Sequence, residues 1–85
     1  MSTTGTVYFA EAVGTGHVKI GFTSHPFVSQ RMRQLSTGLW CDLRVLKAVE
    51  GDKSTERSYH VRFDALHVRN EWFKLAGELK EFLEV

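Results

Sequence analysis

Glu56, Tyr59, His60 and Phe63 stand at i, i+3, i+4 and i+7, so on a helix they share one face. A stripe of this kind packs against a sheet, yet this one begins with a carboxylate and includes an imidazole. A half-buried carboxylate needs a partner, and a divalent ion suits its hard oxygens. Glu56 and His60, one turn apart, can share such an ion, but two ligands do not enclose it. A plainer reading serves the same residues. The macrodipole favours glutamate in a first helical turn, and a histidine often completes a core through one hydrogen bond. Both readings stay open at this point.

Other chemistries are excluded more firmly. His25, His60 and His67 form no zinc spacing with a cysteine pair, because Cys41 is the sole cysteine. That residue reads as a small apolar side chain beside Trp40, in a chain suited to a reducing compartment. Gly14-Thr15-Gly16 is too short for a phosphate-binding loop and lacks the Gly-Lys-Ser/Thr ending. No serine has a nucleophile-elbow context.

The elements that must position the stripe begin with a hairpin. Residues 7–13 and 17–23 are rich in strand formers, and Gly14-Thr15 between them suits a type II′ turn. Val18, Ile20 and Phe22 alternate with His17, Lys19 and Gly21, which marks one buried and one open face. A two-residue loop pairs Val13 with Gly16, Phe9 with Ile20 and Val7 with Phe22, uniting the apolar residues. Tyr8 then falls opposite Gly21 and Ala10 opposite Lys19. A tyrosine and a lysine are thus expected on an uncrowded surface. A three-residue loop would instead turn Tyr8 to the core.

A helix is predicted over residues 26–38, with Pro26 in its first turn, Val28, Met32 and Leu35 as its apolar stripe and Gly38 as its stop. Arg31 borders that stripe, while Arg33 points elsewhere. Residues 43–49 read as a third strand. A second helix runs from Gly51-Asp52 to about Leu66, capped by Asp52 or Ser54. Residues 70–75 form a short extended segment, and Leu75, Leu79 and Phe82 share a face of the last helix. The expected fold is α+β in the order β-β-α-β-α-(β)-α: an antiparallel sheet, built from the hairpin and third strand, flanked by helices.

Composition fits one small domain spanning the chain, with a core over residues 6–83 and a flexible 1–5. The chain has 85 residues, 42% hydrophobic and with one proline, too apolar for a disordered segment. No apolar run approaches a membrane span, and Met-Ser-Thr-Thr-Gly at the start has neither a basic nor an apolar leader region. A cytoplasmic location is expected, with no membrane partner. The net charge is +1, unevenly spread. Residues 14–47 hold Lys19, Arg31, Arg33, Arg44 and Lys47 against Asp42, a net of +4, while residues 48–85 hold eight acids and six bases, a net of −2. A locally positive face suits a nucleic-acid partner, and it also suits an ordinary solvated surface.

Taken together, these motifs resemble the GIY-YIG nuclease superfamily. Thr6-Val7-Tyr8 corresponds to the first family motif and Lys19-Ile20-Gly21 to the second. Arg31, within Gln30-Arg31-Met32, matches the arginine of the following helix, and Glu56 matches the glutamate of the next. The Lys-Ile-Gly form is similar to a short branch common in phage and bacterial proteins. That branch also carries the later pieces, seen here as Glu56, His60, Phe63 and Glu71-Trp72-Phe73. The resemblance spans about residues 6–75.

What the resemblance implies is an endonuclease that hydrolyses phosphodiester bonds, most readily in DNA, with one Mg²⁺ or Mn²⁺. Glu56 would hold the ion, and Arg31 would bind the scissile phosphate through its guanidinium fork. Tyr8 would act as general base or orient the water. Lys19 or the ion would lower the Tyr8 pKa, or Lys19 would clamp phosphate instead, and His60 would either support the ion's ligands from behind or relay a proton. Arg33, Arg44 and Lys47 are candidates for nucleic-acid binding outside the chemistry. The alternative is a module of the same fold, weak or inactive in catalysis, that binds DNA or a protein. A nuclease this small is expected to gain affinity from a homodimer or a partner protein.

Overall fold

A computed structural model of the chain describes residues 5–24 and 43–84. The expected helix over 26–38, with Arg31 and Arg33, lies outside them. The described residues form a five-stranded antiparallel sheet with two helices and a short 3₁₀ turn. The strands are β1 (Gly5–Ala12), β2 (His17–Thr23), β3 (Leu43–Gly51), β4 (His67–Arg69) and β5 (Trp72–Lys74). The helices are α1 (Lys53–Arg62) and α2 (Gly77–Leu83). Across the sheet the order is β3-β1-β2-β5-β4. Among the described residues no helix is long and apolar enough to cross a membrane.

The hairpin register is the expected one: Val7 faces Phe22, Tyr8 faces Gly21, Phe9 faces Ile20 and Ala10 faces Lys19. The loop differs. Pairing stops at Ala12 and His17, and the Thr15 N–H closes the turn on the Ala12 carbonyl at 3.0 Å. Gly14 therefore takes the third turn position, at φ 85°, where a type II turn needs a positive φ. The Thr15 hydroxyl donates to the same carbonyl at 2.7 Å and accepts the His17 N–H at 3.2 Å. The longer loop keeps the register because its extra residues add equally to both strands.

Period-two alternation sends Val7, Phe9, Val18 and Ile20 to one face, where they meet Phe63, Phe73, Leu79 and Leu83. Tyr59 and Phe82 close this core, each within ring-contact distance of Phe9, at 5.1 and 5.4 Å. Burying side chains of this size contributes about 1.5–3 kcal/mol each. The opposite face is not the open surface expected of it. Tyr8 is 1% exposed and Ala10 is fully buried, with Leu43 packed against them. Alternation separates two faces, but it cannot say that only one is covered.

Helix α1 starts at Asp52. The Asp52 carboxylate accepts the Thr55 N–H at 3.0 Å, and the Thr55 hydroxyl accepts the Asp52 N–H at 3.3 Å, a reciprocal capping box. The helix stops at Arg62, short of the expected Leu66. Phe63 turns into the core, and Leu66 N–H bonds Phe63 C=O at 2.8 Å to begin the 3₁₀ turn. Strand β4 is an addition to the expected elements. It forms a hairpin with β5 through Asn70, whose φ of 51° lies in a region asparagine tolerates.

Candidate active site

The site forms where β5 runs out. That strand pairs with β2 only from His17 to Lys19. One residue on, the Ile20 N–H still reaches the Glu71 carbonyl at 3.0 Å. The Ile20 carbonyl lies beyond the strand, and the His60 Nε2 of α1 takes it at 2.9 Å. A helix side chain thus completes a sheet edge that has lost its neighbouring strand. The His60 ring also meets Phe73 edge-on, at 5.0 Å between centroids. The plainer sequence reading, a core-completing histidine, describes this contact correctly. Because a carbonyl only accepts, Nε2 carries the proton, and in the neutral ring Nδ1 keeps its lone pair.

Lys19 projects from the same stretch of β2. Its ammonium lies 3.2 Å from a Glu71 carboxylate oxygen and 5.8 Å from the ring centre of Trp72, its cross-strand neighbour. Glu56 stands one turn before His60, half-buried on α1. Burial holds its carboxyl above the usual glutamate range, and the nearby Glu71 charge pushes it further. His60, Lys53 and Lys19 oppose that shift. Lys19, Glu56, His60 and Glu71 therefore form one electrostatic group. An open groove beside them is lined by Glu56, Arg57, His60, Val61 and Asp64.

Tyr8 stands on β1 opposite Gly21 of β2, on the face of the sheet away from the main core. Its ring lies across Gly21, so closely that a Cβ at Gly21 would stand 2.5 Å from the Tyr8 Cζ. Glycine at this position is a packing requirement: only a bare backbone lets the phenol cross β2. The hydroxyl is buried rather than open to the groove's solvent.

Arg44 and Lys47 lie elsewhere. Both are on edge strand β3, with β1 between them and β2. Arg44 faces Glu11 across the strands, and Lys47 faces Phe9, with its ammonium 4.7 Å from the Phe82 ring. Lys47 thus belongs to the helix-covered side of the sheet. Among the described residues no three histidine, cysteine, aspartate or glutamate side chains gather to enclose a metal ion. In the sequence, Glu71 is legible only as part of a Glu-Trp-Phe string. Its partnership with Lys19 depends on the β2–β5 pairing, and the sole sequence signal for it is an acid beside a short strand near a lone basic one.

The T5orf172 domain profile matches residues 5–85. No curated protein and no solved structure matches the chain. The profile covers all the elements described above, including the Lys19, Glu56, His60 and Glu71 group. The chain belongs to the T5orf172 domain family, a domain of phage and bacterial endonuclease-like proteins associated with nuclease and DNA-binding function.

Proposed function

We propose that this domain is a divalent-metal-dependent endonuclease of GIY-YIG type that hydrolyses DNA phosphodiester bonds at the β2 edge. The gathering of Lys19, Glu56 and His60 from two elements into one charged group carries this reading. A carboxylate that burial holds above its ordinary range gains from a cation placed beside it. One carboxylate with open space beside it suits Mg²⁺ or Mn²⁺, which take one or two protein carboxylates and complete their shell with water and substrate phosphate. When bound, the ion supplies a hard positive charge against the phosphoryl oxygens.

The chain's own groups divide the remaining work. Glu56 holds the ion. Lys19 faces the phosphate as a point charge, and Arg31 supplies the planar fork that the family pattern implies. Water attacks phosphorus as the bond to the leaving oxygen breaks. Nδ1 of His60 takes the proton that water loses, while Nε2 stays on the Ile20 carbonyl and fixes the ring. The leaving oxygen is protonated from solvent. An ordinary phenol near pKa 10 is a poor base at neutral pH, so Tyr8, held across Gly21, orients the reacting groups. Arg33, Arg44 and Lys47 add affinity for the phosphate backbone without entering the chemistry.

The burial of Tyr8 favours a second reading, a module that binds DNA without cutting it. One experiment separates the two. Purified wild type and Glu56→Gln are incubated with single-stranded, duplex and branched DNA, with Mg²⁺, Mn²⁺ or chelator. Ion-dependent cleavage by the wild type and none by the variant supports the nuclease. Binding without cleavage of any substrate supports the module.

A further inference from the structure

Lys19 is held in an unusual balance. Its side chain is only 19% exposed, and an ammonium so far from water needs an anion beside it. Glu71 provides that anion at 3.2 Å. The two ends of Glu71 differ in freedom. Its backbone is fixed, because its carbonyl holds the Ile20 N–H at 3.0 Å. Its side chain is 43% exposed and can swing to solvent without disturbing the strand. A partly solvated ion pair of this kind is weak. A phosphate oxygen offers the ammonium the same charge-assisted hydrogen bond as a carboxylate oxygen. Departure of Glu71 also relieves its repulsion of Glu56.

Resting on the nucleic-acid reading above, we propose that Glu71 is a resident anion that occupies the phosphate position on Lys19 until a DNA phosphate displaces it. The free protein keeps its half-buried lysine compensated, and the substrate exchanges one anion for another. Glu71 is therefore a positioning residue: it sets the ground state of Lys19 and lowers the affinity for DNA. Binding strength is held back by an internal competitor in the turn just before β5, the strand whose Trp72 pairs with Lys19.

The test is a double-mutant cycle on DNA binding by the whole chain, read by anisotropy of a labelled duplex in chelator, so that no cleavage intervenes. Glu71→Gln should bind about fivefold more tightly than wild type, the scale of a partly exposed ion pair. In a Lys19→Met background the same change should bring no gain. An equal gain in both backgrounds would reveal only the loss of a negative charge and overturn the exchange, as would no gain in either. If thermal melts show Glu71→Gln unfolded, Glu71→Asp carries the cycle. It keeps the charge but loses the reach to Lys19, so it should give the same Lys19-dependent gain in smaller measure. No gain with that variant overturns the proposal too. A chain that shows the coupling but never cuts DNA loses the nuclease reading and keeps the exchange. A chain that cuts DNA without the coupling does the reverse, and one that binds no nucleic acid loses both.

Discussion

His60 Nε2 stands 2.9 Å from the carbonyl oxygen of Ile20, a residue forty positions earlier in the chain. This contact ties α1 to the sheet edge at the point where β5 no longer covers it, and it fixes which ring nitrogen bears the proton. Structural and chemical roles of the imidazole therefore fall on different atoms, and substitution can separate them. His60→Ala leaves the Ile20 carbonyl without its donor and should cost about 1–3 kcal/mol. His60→Gln restores an N–H with similar reach and should stay within about 1 kcal/mol of wild type. Glutamine cannot relay a proton, so turnover should drop about 100-fold or more despite the retained fold. Melting curves and single-turnover cleavage, measured on both variants, check this. Full activity in His60→Gln would leave the ring a purely structural part.

Tyr8 and Gly21 form the second testable contact. Alanine at position 21 puts a methyl group into the Tyr8 ring, and the phenol must move or the strands must part. Gly21→Ala should destabilise the fold by about 1–3 kcal/mol, the usual cost of overpacking. Tyr8→Phe keeps the ring in place and should leave cleavage more intact than Gly21→Ala does, because it is the ring that lies across Gly21. Thermal denaturation and cleavage rates of the two variants decide the order.

Much of this arrangement is readable in the sequence, and the failures have physical causes. The hairpin register follows from period-two alternation, because a one-residue slip would turn Phe9 and Ile20 to the wrong face. Asp52 is readable as a cap because its side chain is short and lies just before a helical stripe. Strand β4 is not readable, since His67, Val68 and Arg69 are all exposed and show no alternation. The burial of Tyr8 escapes a sequence reading because alternation says which residues share a face, not what covers it. Among site residues, Glu56 and His60 stand out by their spacing on one helix. The Lys19–Glu71 pair does not, because it joins β2 to the turn before β5, far apart in sequence.

Arg44 and Lys47 test how far DNA binding extends from the site. Arg44 is exposed on the edge strand, so Arg44→Ala should weaken binding and lower the salt slope by about 0.9, the value for one phosphate left without its cation. Lys47 also packs its ammonium against the Phe82 ring, so Lys47→Ala should in addition cost about 0.5–1 kcal/mol of stability. Turnover at saturating DNA should be unchanged in both. Affinity measured over a range of salt concentrations, beside saturated rates, checks the division between binding and chemistry. A lowered saturated rate with normal affinity would place these residues in the chemistry instead.

Glu56→Gln joins stability to function with opposite signs. The Glu56 carboxyl is held above the usual range first by burial and then by the Glu71 charge. The folded state thus binds that proton more tightly than the unfolded chain does. The associated stability is fully present below the unfolded pKa, ordinarily near about 4.3, and is lost as pH rises through the folded value. At neutral pH the wild type therefore carries a carboxylate its fold disfavours. Glutamine keeps the shape and helix propensity without the charge. In chelator, Glu56→Gln should melt above wild type at neutral pH, and the gap should close as the pH falls into the range where Glu56 is protonated. Millimolar Mn²⁺ should then raise the wild-type melting temperature, because an ion bound only by the folded state stabilises it. The variant should not respond, and its ion-dependent cleavage should disappear. A variant that is less stable than wild type at neutral pH, or that still responds to Mn²⁺ and cuts DNA, would show Glu56 to be a first-turn partner of the helix dipole, with the ion held elsewhere.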